Sequence, residues 1–169
     1  MSNGPFYGKY RATVFNNVDP LQIGRIQAMV PDVLGQLPSS WAMPCVPMAG
    51  DNVGFFTVPP IRAGVWIEFE KGDPDYPIWV GGYWGSAVET PLLSHGVLPG
   101  LAGITLQTLR SGIVISDTPG PTGGILIQTT SGALISVSEV GITISNGKGA
   151  VINMTGPTTD VNLGALTVI

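Results

Sequence analysis

The chain has 169 residues, 44% of them hydrophobic, with 24 glycines, 15 prolines and a formal net charge of −4. That length admits one compact domain with an appendage, and the glycine and proline content favours an all-β fold over a helical one. Five bases stand against eight acids in residues 1–90 and two against three beyond, so neither half offers the basic surface that nucleic acid binding requires.

Residues 1–6 read as a short N-terminal arm. They have no basic start leading into an apolar core, and no apolar run in the chain reaches membrane-spanning length, so synthesis in the cytoplasm is the expectation. Residues 7–86 then read as a small barrel. Tyr10–Phe15 alternates as a strand before the turn formers Asn16–Pro20, and Gly24–Val30 alternates until Pro31 and Asp32 stop it. Met43–Pro47 and Gly54–Val58 are shorter, the prolines confining the first to an edge. Val65–Glu70 and Pro77–Gly81, joined through Lys71–Tyr76, form a hairpin. Five or six strands in so short a stretch fit a Greek-key barrel of the OB type.

Residues 87–102 read as a linker, and from Gly103 the texture changes to a repeat. Short β-signals open on Gly103, Gly112, Gly124, Gly132, Gly141 and Gly149, with spacings of 9, 12, 8, 9 and 8. The one long interval carries the turn formers Asp117–Gly123, a loop inserted between two rungs. Strand side chains alternate between faces, so the first and third residues after each glycine share one face. Those positions are Ile104 and Leu106, Ile113 and Ile115, Ile125 and Ile127, Ala133 and Ile135, Ile142 and Ile144, Ala150 and Ile152, all aliphatic. The glycines are expected to supply the corners, where positive φ costs them least.

A single chain of this kind, with little charge to guard its strand edges, is expected to aggregate. Three identical chains wound about one axis give every strand two neighbours and put the aliphatic face inside. Residues 103–169 are therefore expected to be one third of an intertwined triple-stranded β-helix, a β-prism, whose core is formed by the Ile and Leu residues named above. With Asp160–Ile169 as a seventh rung and about 4.8 Å per strand, the prism would stand roughly 34 Å tall. Single-chain solenoids and β-sandwiches share regular turn spacing, but rungs of eight residues are too short for a solenoid turn. At the far end Leu166, Thr167, Val168 and Ile169 would make a small apolar plateau on which a tip protein could dock, or else plug the last rung.

The barrel region also carries a resemblance. Tyr7–Arg11, Asn17–Gln27, Val30–Gly35, Trp41–Pro47 and Ile61–Glu70, extended by Gly72–Trp79 and Gly82–Gly85, resemble the phage baseplate assembly protein V family. That family shares its OB domain with the central spikes of contractile phage tails, type VI secretion systems and extracellular injection systems. The resemblance implies a homotrimeric, non-enzymatic spike. Its OB domain would dock on a baseplate hub, its β-helical needle would touch and pierce the target membrane, and a PAAR-repeat protein would cap the tip. Some relatives insert a lysozyme domain before the needle, where this chain has only residues 87–102, and others fuse the hub ahead of the barrel, where it has six residues. Certain short spikes bind iron through a His-x-His motif, whereas the only histidine here is His95. A minimal spike with separate hub and tip, and without cofactor or metal, is what these departures imply.

Other chemistry reads weakly. Glu68 and Glu70 alternate with Trp66, Ile67 and Phe69 as the solvated side of a strand, and Asp73 and Asp75 flank a turn proline, so neither pair suggests acid and base catalysis. Cys45 reads as a small buried hydrophobe and His95 as a residue without fellow ligands. Gly147–Gly149 lacks the spacing of a phosphate loop and reads as a rung corner. Trp41, Trp66, Trp79 and Trp84 offer stacking surfaces, which leaves a rival from another class: a carbohydrate-binding OB module on a trimeric adhesin stalk. Cell-wall hydrolysis is a third reading.

Overall fold

The computed structural model describes residues 4–168, in two compact units that divide between Glu89 and Thr90. The first unit holds β1 (Tyr10–Asn16), β2 (Gln27–Met29), a single helical turn α1 (Pro31–Leu34), β3 (Met43–Pro44), β4 (Ala49–Gly50), β5 (Val53–Gly54), β6 (Gly64–Phe69) and β7 (Pro77–Tyr83). The main sheet runs β2-β1-β6-β7-β3, antiparallel except for the parallel β3–β7 pair. The segment leading into β3 closes it. Ala42 exchanges backbone hydrogen bonds with Ile26 on one side, and the Cys45 N–H donates to the Trp79 carbonyl on the other. A chain that touches both ends of its own sheet makes a barrel and leaves few free edges.

Alternation places Ala12, Val14, Ala28, Val65, Ile67 and Phe69 inside, with Ile26, Val30, Ala42 and Trp79 completing the core. Pro31 begins α1, where a missing N–H does no harm. Two expectations need correcting. Gly54–Val58 is not a strand: only Val53 and Gly54 pair, in the hairpin of β4 and β5 turned by Asp51 and Asn52, and the chain then runs out toward Pro59 and Pro60. Cys45 is exposed rather than buried, because β3 is only two residues long and the side chain leaves the barrel at its end.

The second unit is one antiparallel meander of eight strands: β8 (Gly103–Gln107), β9 (Ser111–Ser116), β10 (Gly124–Thr129), β11 (Ala133–Val137), β12 (Ile142–Asn146), β13 (Val151–Thr155), β14 (Thr158–Val161) and β15 (Leu166–Val168). Each strand pairs with its neighbours in sequence, so one chain already satisfies its own ladder apart from the outer edges of β8 and β15. The expectation that lone rungs leave both edges unpaired is thereby corrected: the corners reverse the chain. Gly124 makes one such corner with φ of 81°, and a Cβ there would lie 2.1 Å from the Val137 carbonyl oxygen. At the Gly147–Gly149 corner the Asn146 side-chain oxygen accepts from the backbone N–H groups of Lys148 at 2.8 Å and Ala150 at 3.1 Å. The 117–123 insertion folds as a loop, tied at Gly120 N–H to the Glu139 carboxylate at 3.1 Å.

Two further readings change. Residues 160–169 do not form a single rung. Asn162, Leu163 and Gly164 all have positive φ, turning the chain between β14 and β15. Gly103 and Gly112 are not corners either, since both sit in extended strand. Their missing side chains make room for residues that precede β8: a Cβ on Gly103 would meet Val97 at 2.7 Å, and one on Gly112 would meet Leu93 at 2.4 Å. The 3-10 turn Leu92–Gly96 thus lies as a strap on β8 and β9, pinned by Leu93 N–H to Gln107 and Leu98 N–H to Thr118.

Candidate trimerisation face

The register of the meander aligns its aliphatic residues in two columns. One runs Leu106, Ile113, Ile127, Ile135, Ile144, Ile152, Val161, Leu166, and the other Ile104, Ile115, Ile125, Val137, Ile142, Met154, Thr159, Val168. All ten residues expected in a trimer core lie in these columns, on one face, and Leu166 and Val168 continue them. Ile169 lies outside the described residues, and Thr167 pairs with Asp160 through its backbone. Sequence reasoning missed Val137, Met154 and Val161; alternation carried two residues past Ile135 and Ile152 would have found the first two, while Val161 lies in a strand that none of the six glycines opens.

This face is open. Its most exposed members retain between 37% and 64% of their surface, from Ile152 to Leu106. A contiguous apolar surface spanning eight strands is much larger than single soluble chains usually leave in water. Covering the exposed half of one isoleucine is worth about 1 kcal/mol, so the whole face offers a large drive for association. The opposite face is mixed and better covered. Across β9 to β13 it presents Val114, Leu126, Ser136, Thr143 and Asn153, with Val114 and Ser116 buried and Thr143 donating to the Asn153 side-chain oxygen at 2.9 Å. One sheet therefore has a dry side to hide and a side that is finished.

The barrel's candidate groups are engaged among themselves. Arg11 lies over the rings of both Trp66 and Tyr83, at 5.3 and 5.0 Å, and Arg25 lies 5.3 Å from Trp41. Trp79 is buried and donates its indole N–H to the Gly24 carbonyl, while Trp84 is exposed. Glu68 pairs with Lys9 on the outer side of β6. His95 hydrogen-bonds with Thr90, and no group of three or more metal-ligating side chains occurs among the described residues. The surroundings of Asp19 move its titration clearly. The Arg25 guanidinium, aided by the N–H groups of Leu21, Arg25 and Ile23, holds its carboxyl far below the usual carboxylate range despite its burial. That cluster braces the loop between β1 and β2.

A charge-poor β-meander with one aliphatic face, carried by a small closed barrel, defines a structural protein that assembles through its C-terminal unit. Comparison with protein families gives the same division: residues 10–84 match the type VI secretion system/phage-baseplate injector OB domain, and residues 103–167 match the phage baseplate V C-terminal trimerisation domain. The chain belongs to the phage baseplate assembly protein V family, whose domains are structural baseplate components. Comparison with curated proteins finds no match. No helix among the described residues is long and apolar enough to cross a membrane.

Proposed function

We propose that this chain forms, as a homotrimer, the central spike of a contractile injection machine. The observation that carries the reading is the two-column aliphatic face, open on one chain and situated in the segment that matches a trimerisation domain. Three such faces turned toward a common axis enclose one another, and the mixed face of each sheet remains outside. The resulting needle is stiff because bending it would disturb both a packed interior and continuous hydrogen-bonded ladders. Its work is mechanical. Thrust enters through a baseplate hub that holds the OB domain, the needle contacts and pierces the target membrane, and the end bearing Leu166 and Val168 carries a PAAR-type tip protein on its exposed apolar positions and the open edge of β15.

The OB domain acts as an adaptor rather than a glycan receptor. A sugar site is built from several convergent aromatic faces, and of the four tryptophans Arg11 and Arg25 already cover Trp66 and Trp41, Trp79 is internal and Trp84 alone is exposed. Capture of a purified hub protein by the full-length trimer tests the adaptor role. Retention of hub with an empty glycan array is the expected result, and glycan binding without hub capture would reverse the assignment.

A further inference from the structure

The first unit carries its own uncovered apolar surface. Val18 and Leu21 project from the Asp19-braced loop, and Met48, Val53, Phe55 and Phe56 from the hairpin of β4 and β5, all of them exposed. The two segments adjoin. Phe56 reaches to 3.5 Å from the position a Cβ would take on Gly24, and the Asn17 side chain donates to the Pro59 carbonyl at 3.0 Å.

Charge indicates what covers them. Residues 1–90 are acidic overall, yet residues 43–61 contain one acid, Asp51, and residues 17–24 contain only Asp19, buried and neutralised by Arg25. Three copies of an acidic unit repel one another across most contacts, for instance through Glu70, Asp73 and Asp75. They can meet without that repulsion through this nearly uncharged surface. Trimerisation of the second unit also ties three first units to one body, which gives each a high effective concentration for the others.

We infer that the surface formed by residues 17–24 and 48–56 is an interface between OB domains of neighbouring copies, so that the trimer is joined at both units. This rests on the homotrimer proposed above. Hydroxyl-radical footprinting of the full-length protein tests it, with sedimentation of the same sample. Once corrected for intrinsic reactivity, Met48, Phe55 and Phe56 should label several-fold more slowly than Tyr7 and Tyr76, although the exposures in one chain are similar: 59% and 69% for the two phenylalanines, 72% and 62% for the tyrosines. In the double variant Phe55→Ser, Phe56→Ser the mass should remain trimeric while Met48 labels faster. Equal labelling of Phe55, Phe56 and the tyrosines in a sample that sediments as trimer would overturn the interface alone, as would protection gained only on adding hub protein. A monomeric sample would instead overturn the homotrimer beneath it.

Discussion

Asp19 and Arg25 show how few groups fix the β1–β2 loop. The carboxylate accepts from Arg25 Nη2 at 2.7 Å and Nε at 3.0 Å, and from the backbone N–H groups of Leu21 and Ile23, each at 3.0 Å. Its folded pKa is depressed, so its contribution to stability is fully present above the unfolded carboxylate value of about 4 and is lost as pH falls from there. Asp19→Asn should therefore lower the melting temperature at neutral pH, with the gap from wild type narrowing progressively once the pH falls below about 4; thermal scans from pH 7 down to about 2 read this directly. Two glycines make a sharper pair. Gly124→Ala forces a side chain into left-handed backbone against the Val137 carbonyl and should cost more than the roughly 1–2 kcal/mol of the conformation alone. Gly112→Ala keeps ordinary strand backbone and meets chiefly the far end of the Leu93 side chain, with the Leu106 carbonyl oxygen at 3.3 Å, so it should cost less than Gly124→Ala. Denaturant melts of the two variants separate the roles that one repeated letter plays.

At the scale of the element, the meander turns a one-residue change of position into a change of face. Ile127→Asp and Ile144→Asp each put three carboxylates into the interior of a trimer, where an unpaired buried charge costs several kcal/mol, and should prevent its assembly. Ser136→Asp, next to Ile135 but on the mixed face, should leave assembly intact. Size-exclusion profiles of the three variants distinguish them, and a well-assembled Ile144→Asp trimer would contradict the assigned interior. The aliphatic period was legible in sequence because burial of a single strand face writes itself as alternation. Strand direction was not, since an octad with a glycine suits a winding chain and a reversing one equally. The split of residues 158–168 into β14 and β15 was hidden because the turn rests on positive φ at Asn162 and Leu163, residues that give a much weaker signal than glycine. The strap over Gly103 and Gly112 was hidden for a related reason: a close tertiary approach leaves the same letter in the sequence as a corner.

For the whole molecule, the order of a barrel-forming segment before a repeat with an aliphatic face was readable from turn residues and alternation. The exposure of Cys45 was less readable, because it depends on where a two-residue edge strand ends. What a single chain leaves undone is consistent between its units: each pairs its strands within the chain, apart from the outer edges of β8 and β15, and each keeps an apolar surface open. Analytical ultracentrifugation of the full-length protein across a dilution series tests the central claim most directly. The account predicts one folded species of three 17.6 kDa chains that persists on dilution; a folded, monodisperse single chain at every concentration would contradict it.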